Sequence, residues 1–274
     1  MGKDWVIFTD LDGTLLDHTT YRWTAARAAL RELDRRELPL VLVSSKTRKE
    51  ILSLLSQLHR REPFVVENGG GIHIPVGYFP FPIKGAVAES GGWWRVSLGT
   101  PYPKLVSVLG AAAKRVGVRL RGFARMSVAE VVEWTGLDSA QARRARSREF
   151  DEPFLIMESD ASAWPRLSAE IERRGLRPTR GSRFFHIHGA NDKGAAVRRL
   201  MGWYRLARGV GVRSLGLGDS PNDIPMLRAV DVPILVARPG GRYDRETLDA
   251  VPRARRAGGV GPEGWNRAML RLLA

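Results

Sequence analysis

The chain contains no cysteine. Disulfides, thiolate metal sites and a cysteine nucleophile are excluded with it. Histidine is sparse, and the five present show no HExxH-type spacing, which argues against a structural zinc site. No apolar run approaches the roughly 20 residues that span a bilayer. The opening MGKDWVIF lacks the long apolar stretch and small-residue cleavage site of a secretory signal. These absences predict a soluble, cytoplasmic protein with no membrane partner.

What is present is a globular composition. The 274 residues are 43% hydrophobic, enough for one large domain or two smaller ones with a real core. Basic residues number 44 against 29 acidic ones, a net charge of +15. Such a balance suits an anionic partner. The basic residues do not form one tight block interleaved with aromatics, which disfavours nucleic acid. The expected partner is a phosphorylated small molecule. A nucleic-acid-binding protein is the reading from another class, and it would require salt-sensitive binding independent of any acidic site.

Along the chain, short apolar runs alternate with helical periodicity. WVIFT (5–9) and LPLVLVSS (38–45) read as strands apolar on both faces, and PFVVENGGG (63–71) as a third that ends in a glycine turn. Between them, Ala26, Ala29, Leu30 and Leu33, and then Ile51, Leu54, Leu55 and Leu58, fall at helical spacing. Strands of this kind alternating with helices predict a parallel sheet covered on both sides. From about residue 85 the strands look half-exposed, and near residue 190 the first texture resumes. The expected fold is α/β: a Rossmann-like parallel-sheet core of residues 1–84 and 187–274, with an α+β domain of residues 85–186 inserted as a cap. The tail RARRAGGVGPEGW is glycine-rich and basic, and the chain then closes with a short helix.

In an open parallel sheet, ligands bind beyond the carboxyl ends of the strands. The polar residues there should share one crevice: Asp10 and Asp12 after the first strand, Ser44 and Ser45 after the second, and Asp219, Asn222 and Asp223 after a later one. Lys193 opens a helix in the same half. Converging carboxylates repel one another, and a hard divalent cation such as Mg2+ relieves that repulsion. Carboxylates, Mg2+, a lysine and a hydroxyl together suit phosphoryl transfer. Asp10 would attack phosphorus and form an aspartyl-phosphate, and Asp12 would serve as acid and then base. Ser44 and Lys193 would hold the phosphate oxygens, and Gly13 would turn the chain away after Asp12. Ser44 and Ser45 also have the chemistry of N-caps for the following helix.

DLDGTL, the serine-terminated second strand, Lys193 and GDSPND, in that order, resemble the haloacid dehalogenase-like phosphatases. The resemblance implies that Mg2+ is bound by the carboxylates of Asp10 and Asp219 and the backbone carbonyl of Asp12. It implies that Asn222 and Asp223 position Lys193 or metal-bound water. SSKTRKEI (44–51), ENGGGIHIP (67–75) and RSREFDEPF (146–154) are similar, more narrowly, to the mannosyl-3-phosphoglycerate phosphatases. Ser44-Ser45-Lys46 stands where most of the wider family has Thr-Gly-Arg, which points the same way.

The implied reaction is Mg2+-dependent hydrolysis of mannosyl-3-phosphoglycerate to mannosylglycerate, a compatible solute. Glucosyl-3-phosphoglycerate, another sugar phosphate, or phosphomutase chemistry are alternatives on the same site. The substrate so implied carries a phosphate, a carboxylate and a sugar. Arginine forks match carboxylates. That gives Arg143, Arg148, Arg183 and Lys46 as candidates, with Ser45 beside them and Glu67 and Asn68 for sugar hydroxyls. His186 and His188, two apart on a strand, share a face and could meet the glycerate group.

Overall fold

The computed structural model describes residues 4–157, 160–181 and 183–274. In chain order the elements are β1 (Trp5–Thr9), α1 (Arg27–Arg35), β2 (Leu40–Val43), α2 (Arg48–Gln57), β3 (Phe64–Val66), β4 (Gly71–Pro75), β5 (Val87–Glu89) and β6 (Trp93–Ser97). Then come α3 (Tyr102–Val116), β7 (Leu120–Gly122), α4 (Val128–Thr135), α5 (Ser139–Ala145), β8 (Asp151–Ile156), α6 (Ala163–Arg173), β9 (Arg177–Arg180) and β10 (Phe185–His188). The chain closes with α7 (Lys193–Arg208), β11 (Arg213–Gly218), α8 (Ile224–Ala229), β12 (Val232–Ala237), α9 (Arg245–Ala250), β13 (Arg255–Val260) and α10 (Gly261–Leu273).

Contacts divide the chain into two compact units. The first takes Met1–Ser45, Arg61–Val96 and Asp192–Ala274; the second takes Lys46–Arg60 and Ser97–Asn191. Among the described residues, nine strands form one sheet in the order β13-β12-β11-β1-β2-β3-β4-β6-β5. The run from β13 to β3 is parallel, and β4 then pairs antiparallel with β3. The apolar runs disappear into this sheet: Ile7, Phe8, Leu42, Val43, Leu215 and Leu217 are fully buried. The helices of this unit bury one face each: Leu30 and Leu33, read at helical spacing from the sequence, on α1, and Val197, Leu200 and Met201 on α7.

Chain order reverses at β1. The chain runs outward through β2 and β3, while β11, made much later, lies on the other side of β1. Reversals of this kind open a crevice at the strand ends. The division differs from the expected 1–84 plus 187–274 against 85–186. β5 and β6 pair with each other and extend the large sheet beyond β4. The segment carrying α2 groups with the second unit, where the Thr47 hydroxyl donates to the Arg144 carbonyl at 2.9 Å. The basic tail, in which no strand is read from the sequence, forms β13, an edge strand of the large sheet.

In the second unit a four-stranded antiparallel sheet, order β7-β8-β10-β9, buries Phe154 and Ile187 against Leu105 and Leu109 of α3 and Leu167 and Ile171 of α6. The helix after β2 is capped by Thr47, not by Ser44 or Ser45. Thr47 and Glu50 form a capping box, with the Glu50 carboxylate accepting from the Thr47 N–H at 2.9 Å. Both serines are therefore left to the strand end.

Candidate active site

Asp10 is the first residue past β1, and its N–H donates to the Leu217 carbonyl of β11 at 2.9 Å. The chain then turns sharply: Gly13 N–H donates to the Leu16 carbonyl and Leu16 N–H to that of Leu11. Gly13 has φ +79°, and a Cβ there would lie 3.0 Å from Asp219 Oδ2. Glycine is thus required twice, for the left-handed backbone and for the close approach. The Thr14 hydroxyl, delivered by the same turn, donates to Asp219 Oδ1 at 3.3 Å. Behind the site, the Trp265 indole of α10 donates to the Thr9 hydroxyl, which donates to the Asp10 carbonyl.

Lys193, at the first turn of α7, is fully buried instead of lying in solvent. Its ammonium donates to Asp10 Oδ1 at 2.5 Å and to Asp223 Oδ1 at 2.6 Å. The second oxygen of Asp223 accepts from the Asp219 N–H at 3.0 Å, so Asp223 ties the lysine to the β11 turn. Burial alone would push the Lys193 ammonium down, but the Asp10 and Asp223 carboxylates outweigh it and hold it above its ordinary value. The turn Glu67-Asn68-Gly69 packs on the start of α7, and a Cβ at Gly69 would fall 2.1 Å from the Asp192 carbonyl oxygen. Asn68 there is left-handed, and its N–H donates to the Ser44 carbonyl at 3.0 Å. Ser44 is buried at the end of β2. Asn222 is exposed and accepts from the Ser220 hydroxyl.

A family model described as haloacid dehalogenase-like hydrolase matches residues 7–78. A Methanococcoides burtonii protein named glucosyl-3-phosphoglycerate/mannosyl-3-phosphoglycerate phosphatase is 42% identical over 268 residues, 98% of this chain and 97% of its own. A protein of the same name from Persephonella marina is 36% identical over 269 residues, again 98% of this chain and 97% of its own. The chain belongs to the haloacid dehalogenase-like hydrolases. A hydrolase of this family from Bacteroides thetaiotaomicron shares the fold, with a TM-score of 0.66 at 17% identity over 97% of this chain and 98% of its own.

The donor set of this haloacid dehalogenase-like hydrolase fits a divalent cation. One oxygen from each of the buried Asp10, Asp219 and Asp223 lies within 4.8 Å of the other two. Both Asp223 oxygens are already engaged, which favours Asp10 and Asp219 as ligands. Burial, and then the Asp223 charge, push the Asp10 carboxyl well above its ordinary range and the Asp219 carboxyl up to about 6. One buried ammonium does not offset so much negative charge, and hard oxygens of this kind suit Mg2+.

The raised carboxyls set the sign of a pH effect. Because the folded Asp219 pKa lies above its unfolded one, the metal-free protein gives up stability as pH rises through about 6. Over the same range the cluster becomes able to bind a cation. Mg2+ affinity measured by calorimetry should weaken below about pH 6, with proton release on binding. An affinity that stays flat from about pH 5 to 8, without proton release, would contradict this.

The remaining sequence candidates sit as follows. Glu67 is buried and Asn68 half-buried in the first unit. Ser45 and Lys46 are half-buried around the unit boundary. In the second unit, Arg143 is exposed on α5, and the exposed Arg183 donates to the Thr135 carbonyl at 2.6 Å. Arg148 lies over the Phe123 ring and 3.4 Å from Asp151. His186 and His188 do share a face, and Asp151, paired in register with His188, lies on it too. His186 Nδ1 is 2.9 Å from Asp151, while His188 Nδ1 meets the Gly189 carbonyl. Sequence reasoning missed Thr14 and Arg238, both in contact with Asp219. The strand-end rule that found Asp10 also reaches Arg238, the first residue past β12.

Proposed function

We propose that this enzyme hydrolyses the phosphomonoester of glucosyl- or mannosyl-3-phosphoglycerate, through an aspartyl-phosphate on Asp10 and with Mg2+ bound. The reading is carried by one observation: the buried Asp10–Lys193–Asp223 trio with Asp219 beside it, at adjacent strand ends. Likeness across 98% of the chain to relatives that bear those substrate names supports the choice of substrate.

Asp10 and Asp219 would hold the ion through their carboxylates, and Asp12 through its backbone carbonyl. When bound, Mg2+ neutralises charge that builds up on the phosphoryl oxygens. The chain's own residues do the rest. An Asp10 oxygen attacks phosphorus, the bond from phosphorus to the glycerate oxygen breaks, and Asp12 gives that oxygen a proton. Water then attacks the phosphoryl group while Asp12 takes its proton. The phosphorus bond to Asp10 breaks, releasing inorganic phosphate and the carboxylate. Lys193 holds Asp10 in place and opposes the negative charge of the transition state, and Asp223 orients the lysine. Ser44 contacts the phosphate oxygens.

Phosphate release across a substrate panel, with and without chelator, tests the reading. Both named substrates should exceed glucose 6-phosphate in kcat/KM by at least about tenfold. Chelation should stop turnover and Mg2+ restore it. Equal rates on all phosphomonoesters, or turnover indifferent to chelator, would overturn it.

A further inference from the structure

Arg238 stands immediately beyond β12, two strands from β1, where the sheet presents its carboxyl ends. A tight turn fixes its backbone: Arg238 N–H donates to the Arg242 carbonyl at 2.8 Å, and Gly241 N–H donates back to Arg238 at 2.9 Å. Its side chain is fixed as well. Nη1 donates to Asp244 Oδ2 at 2.8 Å. The other oxygen of Asp244 caps α9, accepting from the N–H and hydroxyl of Thr247. A helix cap therefore anchors the guanidinium.

On its other edge, Nε lies 3.5 Å from Asp219 Oδ2. That is a charge contact, longer than a good hydrogen bond. One Asp219 oxygen lies in the cluster, within 4.8 Å of an oxygen of Asp10 and of Asp223. The side chain is 39% exposed, so the cation is held beside the cluster without being sealed into it. An exposed ion pair alone contributes little to stability, and an anchored arginine here is better explained by a ligand.

We propose that Arg238 receives the substrate carboxylate and so selects phosphoglycerate-type monoesters over phosphomonoesters that lack an acid group. The inference rests on the phosphatase reading above. With phosphorus at Asp10, the carboxylate of a 3-phosphoglycerate trails it by about 5 Å when extended. A bound cation and Lys193 would offset the carboxylates at the phosphate end, but the substrate carboxylate at the far end needs a positive partner of its own. Among the described residues, the cations paired with the cluster are Lys193, fully buried between two carboxylates, and the part-exposed Arg238. The guanidinium fork fits a carboxylate bidentately, which an ammonium does not.

The test compares glucosyl-3-phosphoglycerate with its methyl ester, in which the carboxylate is neutral, for the wild type, Arg238→Gln and Arg238→Lys. Thermal unfolding monitors the fold. Wild type should prefer the acid. In Arg238→Gln the acid-to-ester ratio of kcat/KM should fall by about 10- to 100-fold, mostly through KM for the acid. Arg238→Lys should fall between the two. An unchanged ratio in both variants, or a wild type indifferent to esterification, overturns the proposal. Equal losses on both substrates overturn it too, because they mean that Arg238 acts only through Asp219. If the wild type hydrolyses neither compound, the phosphatase reading itself fails.

Discussion

Asp10→Asn should lower turnover by at least about four orders of magnitude, with the protein still folded. An amide nitrogen or its carbonyl is too poor a nucleophile to replace the carboxylate at phosphorus. The fold survives for a reason visible in the site. Burial and the neighbouring Asp223 already make ionised Asp10 costly. A neutral side chain of the same shape relieves that cost and still accepts a hydrogen bond from Lys193. The melting temperature of the metal-free variant should therefore equal or exceed that of the wild type. Single-turnover phosphate release together with thermal unfolding reads both effects. Acid-quenched wild type should also yield a phosphorylated peptide containing Asp10. Activity within about tenfold of the wild type would remove Asp10 from the role of nucleophile.

Lys193→Met is the second large effect, and it falls on stability as well as rate. Methionine fills much of the same volume but leaves Asp10 and Asp223 facing each other in a dry interior. Breaking a buried pair by removing one partner costs about 3–5 kcal/mol. Turnover should fall by about 10³-fold or more, since a charge opposing the transition state is gone. The stability loss should shrink on acidification, because protonating the raised carboxyl of Asp10 removes the repulsion that lysine had offset. Denaturant melts of the metal-free protein at neutral and acid pH measure this directly. A variant within about 1 kcal/mol of the wild type at neutral pH would mean that Lys193 does not compensate the cluster.

Much of this site was legible in the sequence because strand ends are easy to locate. WVIFT and RSLGLG are apolar enough to be read as buried strands, and the aspartates that follow them stand out. Lys193 could be placed at a helix start, but its burial could not be read. An ammonium looks the same in a sequence whether it meets water or two carboxylates. The second unit was less legible for a related reason. Arg148 and His186 have the chemistry of ligands, and the structure shows both against Asp151, Arg148 from three residues upstream and His186 across the paired strands. β13 was missed because RRAGGV lacks an apolar alternation. An edge strand with exposed arginines does not need one. Ser44 and Ser45 were plausible caps until Thr47, two residues further on, proved to hold the capping box.

The place of β11 in the sheet bears on how the molecule is made. Trp5 pairs in register with Arg213, so one flank of β1 stays open until that late segment has left the ribosome. Ile7 and Phe8, fully buried in the finished fold, wait on the growing polypeptide without that neighbour, and unpaired strand edges are prone to mispairing. The nascent chain should thus be inert until β11 and the carboxylates that follow it have been made.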